Sequence, residues 1–180
     1  MKEKVVLAYS GGLDTTAIIP WLKETFDYEV ICCCIDCGQE EELDGLEERA
    51  KFCGASKLYI EDVVDEFCDE YVVPCVQAHA VYENKYLLGT SMARPVIAKR
   101  LVEIARKEGA TAICHGATGK GNDQIRFDMT FLVLAPNVEI ITLTRDMALS
   151  RDFEINYLKE HGFEADFTKL KYSYNVGLWG

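Results

Sequence analysis

Near its start the chain reads "VVLAYSGGLDTTAIIPWL", Val5 to Leu22. A short apolar run enters Ser10-Gly11-Gly12, and a longer apolar stretch follows Asp14, Thr15 and Thr16. That order predicts a buried strand, a tight turn and a helix, the opening unit of a parallel sheet. It also constrains what the turn can do. The first turn of a helix has backbone N–H groups without intrahelical acceptors, and its dipole end is positive. Such groups in a concave turn bind anions, phosphates above all. Glycines permit close approach and positive φ. Ser10, Thr15 and Thr16 add hydroxyls. Asp14 is placed either to cap the helix or to help hold Mg²⁺ on a polyphosphate.

Strand and helix patterns then alternate. Glu29 to Ile35 is a second strand, and Glu40 to Cys53 a helix ended by Gly54. Lys57 to Glu61 is a third strand, followed by a helix from Asp62 to Val73 with an acidic cap. In "ARPVIAKRLVEIARKEG" apolar residues recur at helical spacing until Gly109. "TAIC" is a fourth strand, Asp123 to Leu134 a helix, Glu139 to Leu143 a fifth strand, and Ser150 to Glu160 a helix capped by Ser150. Pro20 falls inside the first helix and should kink it. The expectation is an α/β fold: a Rossmann-like, doubly wound, parallel five-stranded sheet with helices on both faces. Right-handed crossovers put the loops after each strand along one edge, and ligands bind where the strand order reverses.

Composition narrows the class. At 180 residues the chain is expected to be one domain. Thirty acidic residues against nineteen basic give a net charge of −11, which argues against a nucleic-acid surface. No apolar run reaches the ~18 residues of a membrane span, and Met1-Lys2-Glu3-Lys4 leads straight into a strand rather than into a signal peptide. Of eight cysteines, Cys32, Cys33, Cys34 and Cys37 crowd one strand and its end. Neighbours in a strand point to opposite faces, so they form no disulfide framework, and a reducing cytosol follows. Cys34 and Cys37 have C-x-x-C spacing but no second pair, so they read as buried strand cysteines and no metal site on cysteine or histidine is expected. His115 reads as a packed, hydrogen-bonded histidine, and "EELDGLEER" as a solvated helix face.

Two more stretches belong at the ligand edge. "HGATGKGNDQIRFD", His115 to Asp128, follows the fourth strand with three glycines, Thr118, Asn122, Asp123 and Arg126. "YENKYLLGTSMARP", Tyr82 to Pro95, brings Thr90, Ser91 and Arg94 just ahead of a long helix. Neither a Walker A loop nor a G-x-G-x-x-G fingerprint is present: Cys114 stands where the Walker glycine should lead Gly119-Lys120, and Gly11-Gly12-Leu13-Asp14 is no dinucleotide turn.

The Ser-Gly-Gly-Leu-Asp-Thr-Thr loop instead resembles the PP-loop of the ATP pyrophosphatases, which cut ATP between its α- and β-phosphates and adenylate a substrate. Together, "AYSGGLDTT", "YLLGTSMARP" and "HGATGKGNDQIRF" resemble the argininosuccinate synthase family, in order and at family-like spacing. The similarity runs from Val5 to about Leu134 and returns weakly in "KYSYNVGLWG". It implies an adenine nucleotide alpha-hydrolase-like fold and a ligase of arginine biosynthesis in the cytoplasm. Such a ligase joins citrulline to aspartate through a citrullyl-adenylate, using ATP with Mg²⁺ and releasing AMP and pyrophosphate. By motif, Ala8, Tyr9, Ser10, Gly11, Gly12, Leu13, Asp14, Thr15 and Thr16 would line the ATP phosphates, with Ile35 at the adenine and Gly116 and Thr118 near the nucleotide. Tyr86, Ser91, Asn122, Arg126 and Ser173 would contact citrulline, and Thr118, Asn122 and Asp123 aspartate. No nucleophile or general acid–base residue is assigned, because adenylation needs alignment and stabilised phosphate charge.

The resemblance further implies a homotetramer and a second synthetase domain, so residues 1–165 are expected to be the ATP-binding domain and 166–180 a tail leading towards that absent domain. Near the end, Asn175-Val176-Gly177 stands where the family has Asp-Glu-Asn. A different PP-loop adenylating enzyme, of tRNA thiolase type, and a non-catalytic nucleotide-binding relative remain open alternatives.

Overall fold

The structure, a computed structural model, describes residues 2–38, 43–147, 150–163 and 178–179. Its five strands are β1 (Lys4–Ala8), β2 (Glu29–Asp36), β3 (Lys57–Asp62), β4 (Ala112–Cys114) and β5 (Glu139–Ile141). All pair in parallel, in the order β3-β2-β1-β4-β5. The order runs outward from β1 in one direction, then restarts at β4 in the other. The switch point therefore lies between β1 and β4, where Val6 is level with Ile31 on one side and Ile113 on the other. The helices are α1 (Leu13–Phe26), α2 (Leu46–Phe52), α3 (Val64–Phe67), α4 (Val73–Gln77), α5 (Gly89–Glu108), α6 (Asp123–Leu134), α7 (Leu143–Met147) and α8 (Arg151–Glu160).

Alternation along the strands divides the core in two. Val5, Leu7, Cys32, Cys34 and Cys114 pack under Ile18, Ile19 and Leu22 of α1 and Leu46 of α2. Val6, Ile31, Cys33 and Ile113 pack under Val96, Leu101 and Val102 of α5 and Phe127 and Phe131 of α6. Burial on both faces is why β1 and β2 are apolar without a break. It also explains the cysteines: all eight are free thiols, and burial pushes Cys32, Cys33 and Cys114 well above the ordinary thiol range, leaving inert packing groups. Among the described residues no helix is long and apolar enough to cross a membrane.

Several boundaries differ from the sequence expectation. The helix expected to end at Val73 continues to Gln77 as α3, a π-helical stretch over Cys68–Val72, and α4. Pro74 has no N–H and its ring crowds the carbonyl four residues back, so the ladder widens just before it. Thr90, Ser91 and Arg94 lie on the first turns of α5 rather than ahead of it. The fifth strand stops at Ile141, and Leu143 opens α7, a helix the alternation did not reveal. Of the helix expected from Glu40, the described part starts at Leu46. Pro20 sits within α1, which runs on to Phe26.

At the edge opposite the phosphate loop, Glu108 ties α5 to the starts of β1 and β3. Its carboxylate accepts from Lys57 Nζ at 2.6 Å, from the Tyr59 hydroxyl at 2.5 Å and from Lys4 Nζ at 3.1 Å. These bonds, Lys57 first, hold its pKa down to about 2. A depressed folded pKa stabilises fully above the unfolded value, about 4.3 for Glu. That contribution disappears as pH falls through the folded value. Glu108→Gln should therefore lower the melting temperature at pH 7, and the gap to wild type should close between pH 4 and pH 2. Thermal melts across that range check it; a gap independent of pH contradicts it.

Candidate functional site

The turn after β1 is shaped from outside. Gly11 has φ +74°, and a Cβ there would fall 2.2 Å from Leu46 Cδ2, so only glycine fits. Arg49 Nη1 donates to the Gly11 carbonyl at 2.7 Å. Gly12 is different: φ is −70°, and a Cβ there would meet only Ser10 Oγ, at 3.4 Å. Gly12 is the N-cap of α1, and no side chain caps it. The first-turn N–H groups, which have no intrahelical acceptors, are thus left uncapped at the switch-point edge. The Ser10 and Thr15 hydroxyls stand beside them, joined loosely at 3.3 Å.

Other residues expected here face inward. Tyr9 and Thr16 are 2% and 0% exposed, their hydroxyls 3.4 Å apart, and burial pushes the Tyr9 phenol up to about 12. Leu13 packs on Leu158 of α8, and Ile35 lies in the core on the α5 side. The Tyr9, Leu13, Thr16 and Ile35 side chains hold the site's floor, so a ligand would meet those residues through main chain. Ala8 is half-buried at the end of β1. Asp14 does not cap α1; it lies in the first turn, hydrogen-bonded to Glu154 of α8.

The loop after β4 touches the first. A Cβ on Gly116 would meet Thr15 Cγ2 at 3.1 Å, Ile18 Cδ1 at 3.7 Å and Thr144 Oγ1 at 3.8 Å. Thr144 Oγ1 is a buried hydroxyl without a hydrogen-bond partner, the one such side-chain atom among the described residues. It sits where the turns after β1, β4 and β5 converge. Thr118 is exposed, and Asn122 is the N-cap of α6 with no side-chain cap bond. An uncapped helix start, room in front of Gly12, two outward hydroxyls and an orphaned hydroxyl at the convergence form a donor set that fits a nucleotide polyphosphate. Among the described residues no group of three or more His, Cys, Asp or Glu is placed to hold a metal.

A third group assembles where α5 and α6 begin. Asp123 accepts from Arg126 Nη1 at 2.7 Å and from Arg94 Nε at 3.0 Å. Tyr86 shares a 2.7 Å hydrogen bond with Thr90 and accepts the Ser91 N–H at 3.4 Å. Burial raises the Tyr86 pKa, but those bonds and the Arg126 charge outweigh it and lower the phenol overall. The fold thus brings Tyr86, Ser91, Asp123 and Arg126 together from two distant motifs. Ser173 lies outside the described residues. Sequence reasoning left Arg94, Arg49, Thr144 and Glu154 without a role. Arg94 at least stands within "YENKYLLGTSMARP"; Arg49, Thr144 and Glu154 carry no local signal.

This is a doubly wound α/β domain with an uncapped helix-opening turn after its first strand. Residues 4–164 match the family model described as "Arginosuccinate synthase N-terminal HUP domain". The chain belongs to that family. It is 71% identical to the argininosuccinate synthase of Lachnospira eligens and 69% to that of Agathobacter rectalis, in each case over 99% of this chain and 45% of the relative. It therefore spans about half the length of these curated relatives. Two solved structures share the fold at low identity. One is the NH3-dependent NAD synthetase of Campylobacter jejuni (TM-score 0.56, 15% identical, 96% of this chain and 70% of that one). The other is a predicted subunit of tRNA methyltransferase from Methanocaldococcus jannaschii (TM-score 0.55, 17% identical, 88% and 76%).

Glu154 yields a pH prediction. It is 3% exposed, and burial, then the nearby Asp14 charge, raises its pKa to about 8. A folded pKa above the unfolded one, about 4.3, gives stability that is complete below the unfolded value and is lost as pH rises through the folded value. Glu154→Gln imitates the protonated carboxyl and still donates to Asp14. Its melting temperature should gain on wild type progressively from pH 5 to pH 8 and run parallel above that. Melts at five or six pH values decide it; a constant difference contradicts a proton held on Glu154.

Proposed function

We propose that this chain forms the ATP-binding part of an argininosuccinate synthase, which ligates citrulline and aspartate in arginine biosynthesis. The observation that carries the reading is the meeting of the uncapped turn after β1 with the Gly116 loop after β4 at the switch point, in a chain of this family. The polyphosphate rests on the N-terminal N–H groups of α1, with the Ser10 and Thr15 hydroxyls beside it and Mg²⁺ carried on the phosphates. Adenine lies along the main chain near Ile35 and Gly116.

Citrulline presents a carboxylate, which suits the planar fork of Arg126 with Ser91, Tyr86 and Asn122 around it. Its arrival exchanges one carboxylate partner of Arg126, Asp123, for another, while Arg94 continues to hold Asp123. Aspartate is taken by Thr118, Asn122 and Asp123, whose carboxylate accepts from the substrate amine. The citrulline ureido oxygen attacks the α-phosphorus, the bond to the β-phosphate oxygen breaks, and pyrophosphate leaves. The aspartate nitrogen then attacks the ureido carbon and AMP departs. The protein's contribution is alignment and fixed positive charge, and a displacement of about 1 Å can cost ~100-fold in such a step. The remaining length of the relatives would supply the rest of the citrulline site and the tetramer contacts, with the enzyme working in the cytoplasm.

Gly12 separates fold from function. Because a side chain has room there, Gly12→Val should keep stability within about 1 kcal/mol of wild type while weakening ATP·Mg²⁺ binding more than about tenfold. Gly11→Ala should instead lose stability, through its positive φ and the Leu46 collision. Calorimetric titration and melts of the 180-residue chain test this, and unchanged ATP affinity in Gly12→Val overturns the phosphate site. In a polypeptide of the relatives' full length, pyrophosphate release should depend on citrulline and not on tRNA.

A further inference from the structure

We propose that His115 is a positioning residue for the nucleotide loop, fixing Gly116–Thr118 from beneath through a brace that ends on Arg145. This rests on the reading that the loop contacts ATP. His115 directly follows β4, and its N–H donates to the Ile141 carbonyl at 3.3 Å, so it continues the sheet into the loop. Its imidazole is 1% exposed and stacks on Phe127 of α6 with centroids 5.1 Å apart. Nδ1 accepts the Ala117 N–H at 3.2 Å. The proton therefore sits on Nε2, which donates to Asp128 Oδ1 at 2.9 Å. Burial lowers the imidazole pKa, and Asp128 offsets this only in part, so the neutral tautomer persists at pH 7.

The other Asp128 oxygen accepts from Arg145 Nη1 at 2.8 Å. Arg145 Nη2 also donates to Thr142 Oγ1 at 2.8 Å, which anchors the guanidinium to the chain leaving β5. A second arm runs from the same guanidinium. Arg145 Nη1 donates to Gln124 Oε1 at 3.2 Å, and Gln124 Nε2 donates to the Gly119 carbonyl at 3.1 Å. The front and the back of the loop are thus tied to one side chain on α7. The loop between has three glycines and no regular structure, so its ordering entropy would otherwise fall on ligand binding. None of His115, Asp128 or Arg145 is assigned to a substrate in the proposed reaction; their effect is on where Gly116 and Thr118 stand.

The imidazole's two bonds can be separated. His115→Asn keeps an acceptor near the Nδ1 position for the Ala117 N–H and loses the Asp128 contact. His115→Gln keeps a donor near Nε2 and leaves the Ala117 N–H without its acceptor. Arg145→Met cuts both arms while touching no proposed ligand residue, and it serves if the buried histidine variants fail to fold. ATP·Mg²⁺ titrations, melts and Ala117 amide exchange are measured on the 180-residue chain. His115→Gln and Arg145→Met should bind ATP about tenfold more weakly with faster Ala117 exchange, and His115→Asn, which keeps the Ala117 acceptor but is cut from Asp128, should lose clearly less affinity than His115→Gln. Wild-type affinity in His115→Gln or Arg145→Met overturns the proposal alone. Equal losses in Asn and Gln variants, in step with lost stability, also overturn it by reducing His115 to a packing residue. No ATP binding by the wild type overturns the nucleotide reading itself, and the proposal with it.

Discussion

β1 must be buried on both faces and paired in parallel on both edges, with β2 on one side and β4 on the other. Much of the molecule follows from that. Parallel pairing demands crossover helices, and right-handed crossovers that leave β1 in opposite directions put the turns after β1 and β4 next to each other. They meet at van der Waals distance: a methylene on Gly116 would press on the Thr15 methyl at 3.1 Å. Residues about a hundred positions apart in sequence thus share a crevice.

Charge is distributed against the average. The chain carries a net −11, yet Arg49, Arg94, Arg126 and Arg145 bond to groups along the loop edge. Each is already engaged, with the Gly11 carbonyl, with Asp123 or with Asp128. Pre-oriented side chains of this kind need no ordering when a ligand arrives, which lowers the entropic cost of binding. Glu154 belongs to the same arrangement. Burial, then the nearby Asp14 charge, raises its pKa to about 8, which favours the uncharged carboxyl at neutral pH. A second carboxylate beside the first turn of α1 would repel the anion that turn is built to accept.

What the sequence made legible was local. The strand–turn–helix at Val5 to Leu22, the helix stops at Gly54 and Gly109, and the Ser150 cap all depend on residues within a few positions of each other. The anion turn was readable for that reason. The misplaced elements depended on distance. Cys68–Val72 takes π geometry beside Pro74 while helix packing carries the segment on to Gln77, and no propensity weighs those two against each other. β5 stops at Ile141 because β4, its partner, offers only three residues. In the site, a list of motif residues did not distinguish Ser10 and Thr15, which face out, from Tyr9, Thr16 and Leu13, which are floor. Facing is set by α8 and the sheet, and both lie far along the chain.

The two loops solve one problem by different means. The turn after β1 is fixed by backbone stereochemistry: Gly11 in the left-handed region, Leu46 closing the space behind it and Arg49 on its carbonyl. It needs little else, because a short turn between a buried strand and a long helix has few conformations. The loop after β4 has three glycines before α6 begins and no such enclosure, so side chains must hold it: His115 at Ala117 and Gln124 at Gly119. A reaction that proceeds by alignment tolerates slack in neither loop. The glycines that let the second loop come close to the first would by themselves leave it mobile, and the polar chain from buried His115 to half-buried Asp128 and Arg145 offsets that freedom. Buried polar groups in a core of this size are costly unless every member is bonded. In this chain from His115 to Arg145 they are, whereas Thr144 Oγ1, 3.8 Å from where a Gly116 Cβ would stand, is left without a partner.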